Sequence, residues 1–159
     1  MNNETGGQTP EQFSRWRTRR PDQEARSQFL QSFDEVDSTM IPRIGGKAAN
    51  LVLLRRAGLP VPAGYCAPTD VHDYYLEHGA IPTGLVAEIA RAKDRLGGKV
   101  AIRSSANCED GTDLSMAGVF QSHYVYRDED IEDVIEQIYR QAHSAEVDNF
   151  MALHGKSAT

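Results

Sequence analysis

The chain has 159 residues, 40% of them hydrophobic and 25% charged, with a formal net charge of -6. That length leaves room for one ordinary domain, no apolar run approaches membrane-spanning length, and the acidic balance argues against a nucleic-acid footprint. With no signal-peptide core at the N-terminus the chain reads as cytoplasmic, and Cys66 and Cys108, which lack metal-ligand spacing, read as reduced thiols.

Residues 1–28 are polar and without apolar periodicity, and read as a flexible arm. The run Arg15-Trp16-Arg17-Thr18-Arg19-Arg20 raises a basic anchor or a transit peptide, but Glu4, Glu11, Asp22 and Glu24 are interspersed, so a plain tail is the better reading. Phe29, Leu30, Phe33, Val36 and Ile41, with Pro42 as a breaker, predict a short strand or turn. Gly45-Gly46-Lys47 opens a helix whose apolar side is Ala48, Leu51, Val52 and Leu54, and Gly58, followed by Leu59 and Pro60, closes it as a Schellman ending would. Lys47 sits at the positive end of that helix, where a cation is unfavourable unless something negative is near. This is not a Walker A loop, since Ala48 stands where Ser or Thr is required, and taken alone a glycine turn with a solvated lysine is the better reading.

Gly64 to Ala67 reads as a strand, and Thr69 or Asp70 as the cap of a helix through Val71, Tyr74 and Tyr75 that stops at Gly79. His72 and His78 are six apart, off one helical face, and read as surface histidines. A further helix carries Leu85, Val86, Ile89, Ala90 and Leu96 and ends at Gly97-Gly98. Val100 to Arg103 then reads as a buried strand ending in a guanidinium, with Ser104 and Ser105 beyond and a polar loop, Asn107 to Gly118, after them. A planar fork of donors beside hydroxyls and loop amides is a plausible seat for a phosphate; an arginine merely pinned by Glu109 or Asp110 is the other reading. Phe120 to Tyr126 alternates as a strand, and Asp128 is expected to cap a helix whose core stripe is Ile131, Val134, Ile135, Ile138, Tyr139 and Ala142. The acids Glu129, Asp130, Glu132 and Asp133 fit the helix macrodipole better than a metal site. Residues 144–154 read as another helical segment.

The pattern Arg103-Ser104-Ser105-Ala106, Glu109-Asp110, Ser115 and Ala117-Gly118, with Gly45-Gly46-Lys47-Ala48-Ala49-Asn50-Leu51 and Gly58-Leu59-Pro60-Val61-Pro62 upstream, resembles the N-terminal nucleotide-binding domain of the phosphoenolpyruvate synthase and pyruvate phosphate dikinase family. The resemblance covers most of residues 40–155. It implies an α+β fold: the first lobe of an ATP-grasp-like domain, a small mixed sheet packed with helices, spanning 29–155 with a tail at 156–159. It implies ATP as the ligand, held by Lys47, Arg103 and Ser104 and by a flap containing Ser115, Met116, Ala117 and Gly118. The flap departs from the family pattern: Gly111-Thr112 replaces leucine-proline, Met116 replaces an aromatic, and Val119 replaces glutamine. Gly111 loosens the loop, and Met116 keeps an apolar contact without the ring.

In that family the second lobe supplies the adenine pocket and the acids that hold Mg²⁺, and later domains carry the phosphohistidine and the acceptor site. Those segments lie outside the sequence, so no catalytic residue and no metal ligand is assigned to it. Three functions are compatible: the ATP-binding portion of a kinase acting on pyruvate or another acceptor through a phosphohistidine, inactive alone; a nucleotide-binding or regulatory module without catalysis; or a lobe completed by another chain or by self-association. None of the three involves nucleic acid or a membrane.

Overall fold

A computed structural model describes residues 29–105, 110–111, 114–115 and 122–144, the four between 105 and 122 as backbone only. β1 (Gln31–Ser32) and β2 (Tyr65–Cys66) pair antiparallel, Gln31 opposite Cys66, and Phe33 extends the ladder by donating its N–H to the carbonyl of Gly64 at 2.9 Å. A side chain at Gly64 would collide with the Phe33 ring, 2.4 Å from the position of a Cβ, so the glycine is what lets the ring pack there. Between the two strands Asp37 folds the chain back by accepting from the Thr39 N–H at 2.7 Å and the Met40 N–H at 3.2 Å. A 3₁₀ turn (Ile41–Arg43) and then α1 (Gly46–Arg56) follow.

α1 ends as the sequence predicts. Gly58, at φ +80°, donates to the Arg55 carbonyl at 3.0 Å, and Leu59 donates to Leu54 at 3.1 Å, the two bonds of a Schellman motif. The last turn is also tied to β1, because Arg55 grips the Asp34 carboxylate at 2.5 and 2.8 Å while donating to the Val61 carbonyl. Val36, Ile44, Ala48, Val52 and Cys66 close a small core beneath α1.

The larger core lies among α2 (Asp70–His78), α3 (Leu85–Arg95), α4 (Ile131–Ala142) and the ladder of β3 (Val100–Arg103) with β6 (Ser122–Val125). α4 buries Ile131, Val134, Ile135 and Ile138, the stripe read from its periodicity. α3 buries two charged residues as well. The Glu88 carboxylate accepts from the N–H groups of Phe29 and Leu30 at 2.9 and 3.1 Å, fixing the strand-free entry of the chain. The Lys93 ammonium reaches Asp94 at 3.1 Å and Asp128 at 3.3 Å.

Several local expectations are corrected by these partners. Asp128 lies in a 3₁₀ turn (Asp128–Asp130) and caps nothing with its side chain, being drawn instead to buried Lys93. Neither Thr69 nor Asp70 caps α2 with a side chain; Asp70 pairs with Arg43, and the Thr69 N–H donates to the Arg43 carbonyl at 2.7 Å. His72 is not a surface residue. It is half-buried beside Tyr139, with its Nε2 3.0 Å from that of His143. The expected mixed sheet is also absent among the described residues. β1–β2, β3–β6 and the short β4 (Asp110–Gly111) with β5 (Leu114–Ser115) are three separate antiparallel ladders of two strands each. Helices and small antiparallel sheets together make an α+β architecture.

Candidate functional site

The first turn of α1 is built without a capping side chain of its own. Gly45 takes the N-cap position at φ 74° and ψ 159°, a backbone region open essentially to glycine alone. It lies flat against the end of β3: a Cβ on Gly45 would stand 1.5 Å from the carbonyl oxygen of Ser105. The missing cap is supplied across the chain. Ser105 Oγ accepts from the Ala48 N–H at 2.8 Å and donates to the Ile44 carbonyl at 3.0 Å. A hydroxyl 57 residues away in sequence thus does what an N-cap serine does locally.

Lys47 follows from that placement. Its Nζ donates to the carbonyl of Ser104 at 3.3 Å, which holds the half-buried ammonium at the end of β3, one residue beyond Arg103. Arg103 reaches the same end of the strand by alternation. Val100 and Ile102 pack on the larger core, while Ala101 and Arg103 are exposed on the opposite face. Among the described residues the Arg103 guanidinium makes no ion pair.

Of the residues singled out in the sequence, Lys47 and Ser104 are in contact, Ser104 through its carbonyl, and Arg103 precedes Ser104 in the chain. Ser115 is placed through its backbone only, paired with Asp110 in the β4–β5 ladder. The segment read as one polar loop therefore contains a small hairpin. Met116, Ala117 and Gly118 lie outside the described residues, as do Cys108, Glu109 and the helical segment expected beyond residue 144. Gly45 and Ser105 were read from the sequence as a helix-opening glycine and a strand-end serine, but their contact with each other was not. That pairing carries no local signal, because the demand on each comes from the other across the fold. Among the described residues no group of three or more His, Cys, Asp or Glu could hold a metal ion. Nor is any described helix long and apolar enough to cross a membrane.

Elsewhere the titratable groups are perturbed by burial. Desolvation, and then His143, hold His72 below the ordinary histidine range. Burial pushes the Cys66 thiol up to about 11, and the thiol is free.

Residues 76–150 match the family model described as pyruvate phosphate dikinase, AMP/ATP-binding domain. The match includes Arg103, Ser104 and Ser115 and begins after Lys47. A probable phosphoenolpyruvate synthase of Pyrococcus horikoshii is 32% identical over 84 residues, covering 53% of this chain and 10% of that protein. The prodigiosin synthesizing transferase PigC of Serratia marcescens is 36% identical over 119 residues, 59% of this chain and 13% of its own length. The chloroplastic pyruvate, phosphate dikinase 1 of Zea mays is 43% identical over 62 residues, 38% of this chain and 6% of that enzyme. The chain thus spans about a tenth of the length of the curated relatives it matches. No solved structure gives a significant match.

Proposed function

We propose that this chain, whose residues 76–150 match the pyruvate phosphate dikinase AMP/ATP-binding domain, is part of a phosphoenolpyruvate synthase and pyruvate phosphate dikinase family protein and holds the polyphosphate of ATP between the start of α1 and the end of β3. Lys47 and Arg103 are the cationic anchors, Ser104 contributes at the strand end, and Ser115, Met116, Ala117 and Gly118 cover the phosphates as a flap. The observation that carries this reading is the bond from Lys47 Nζ to the Ser104 carbonyl, which unites two stretches 57 residues apart. A phosphate there would meet a point charge, a planar fork and the positive end of a helix together.

The larger activity we propose is ATP-dependent phosphorylation of pyruvate or another acceptor through a phosphohistidine carried on segments outside this chain. Magnesium supplies charge neutralisation and positioning in such transfers. Alone, the chain binds nucleotide weakly and turns nothing over. The ATP-grasp-like lobe assigned from the resemblance is part of the same proposal.

Calorimetric titration with ATP and Mg²⁺ tests the site. Lys47→Ala and Arg103→Ala are each expected to weaken binding by about tenfold or more, the worth of a hydrogen bond to a charged group. Equal signals from the wild type and both variants would overturn the assignment.

A further inference from the structure

The last turn of α4 is joined to α2 by two imidazoles. His72, half-buried in the first turn of α2, has its Nε2 3.0 Å from that of His143, the exposed residue at which α4 ends. The ring centres are 5.0 Å apart, so the nitrogens are much the closer and the rings meet tip to tip rather than face to face. Their planes differ by only 11°, which lines up an N–H of one ring with the lone pair of the other. Such a contact is a hydrogen bond only while one Nε2 carries a hydrogen and the other does not. A neutral pair meets that condition with one ring in each tautomer. A singly charged pair meets it with an imidazolium donating to a neutral ring. Two imidazoliums cannot, because each then carries a hydrogen on Nε2 and like charges face each other across 3.0 Å.

We propose that the bond between His72 and His143 is a proton-gated latch, closed while the pair carries one charge or none and opened when it takes a second proton. The surroundings offer the second charge no counter-ion. On α4, Tyr139 packs against His72 with ring centres 5.0 Å apart, and Glu136 is paired with Arg140. On α2, Asp70 is paired with Arg43, Tyr75 packs against Tyr139, and Asp73, the next residue after His72, points to a different side of the helix. Among the described residues neither imidazole makes an ion pair. Burial of His72, and then the charge of His143, both oppose protonating His72. Opening bears on the end of α4 alone. His143 donates its N–H to the Arg140 carbonyl at 3.2 Å in a turn outside the core, whereas Ile131, Val134, Ile135 and Ile138 stay buried. Acid therefore frays the helix from His143 and redirects the chain that leaves it.

Two measurements on the 159-residue chain test the latch. Long-range nitrogen–proton NMR of the imidazoles at pH 7.5 should find one of the two Nε2 atoms carrying a hydrogen and the other bare. Amide exchange at residues 140–143, corrected for its intrinsic pH dependence, should quicken about fivefold to tenfold between pH 7.5 and 5.0, the worth of one hydrogen bond, while the amides of Ile135 and Ile138 keep their protection. His143→Ala removes the latch at an exposed position and His72→Phe removes it while keeping a ring against Tyr139. Both variants should show the faster exchange at either pH. The latch is overturned if the wild-type turn is equally protected at both pH values, if either variant keeps the wild-type pH response, if Ile135 and Ile138 quicken to the same degree, or if the two Nε2 atoms are alike at pH 7.5.

Discussion

Replacing Gly45 with alanine is the most direct probe of the joint between α1 and β3. The backbone at φ 74°, ψ 159° already costs any L-residue about 1–3 kcal/mol. The added methyl would meet the Ser105 carbonyl oxygen at 1.5 Å and its carbon at 2.5 Å, both backbone atoms that cannot swing aside. Relieving such an overlap by moving backbone costs another 1–3 kcal/mol or so, against a gain under about 1 kcal/mol from a stiffer unfolded chain. The net loss is about 3 kcal/mol. With a urea slope of about 2 kcal/mol per molar, the unfolding midpoint followed by circular dichroism should fall by about 1.5 M. Gly58→Ala is the control: its φ is +80°, yet a Cβ there meets nothing within 4 Å, so only the left-handed strain of about 1 kcal/mol applies. If the two variants shifted the midpoint equally, the close packing of Gly45 on Ser105 would be wrong.

Glu88→Ala should cost about 2–3 kcal/mol in urea unfolding, because two buried amides, those of Phe29 and Leu30, lose their side-chain acceptor; Glu88→Gln should recover part of it. For His72 the folded state disfavours the charged form, so its contribution to stability is present above the unfolded value near 6.5 and is lost as pH falls below it. The melting temperature should therefore drop more between pH 7.5 and 5.5 in the wild type than in His72→Phe, and equal drops would remove His72 from the account. The Cys66 thiol, pushed up to about 11 by burial, should resist iodoacetamide at pH 8 in a Cys108→Ser background until the chain is unfolded. Rapid labelling of the native protein would contradict its burial.

What the sequence made legible was whatever a helix settles within its own length. Gly58 before Leu59 and Pro60 announced the Schellman ending, and the spacing of Ile131, Val134, Ile135 and Ile138 announced the buried side of α4. Side chains with a choice of partners were not legible. Asp128 and Asp70 have the chemistry of caps, but each sits within reach of a cation supplied by a distant segment, Lys93 for one and Arg43 for the other. Strand pairing was hidden for the same reason, since two-residue strands carry almost no periodicity. At the candidate site, Lys47 and Arg103 stood out as charges beside glycine and serine. Ser105 as the cap of a helix it does not belong to depends on which segments meet.

Because β3 sends Val100 and Ile102 inward and Arg103 outward, one strand serves two masters separated by a single peptide unit. Inserting or deleting one residue between Lys99 and Arg103 would turn the guanidinium toward Val125 and Ile131 and push an aliphatic side chain into solvent. Such a lesion could not spare binding while harming the fold, or the reverse. The four residues of β3 therefore behave as an indivisible unit.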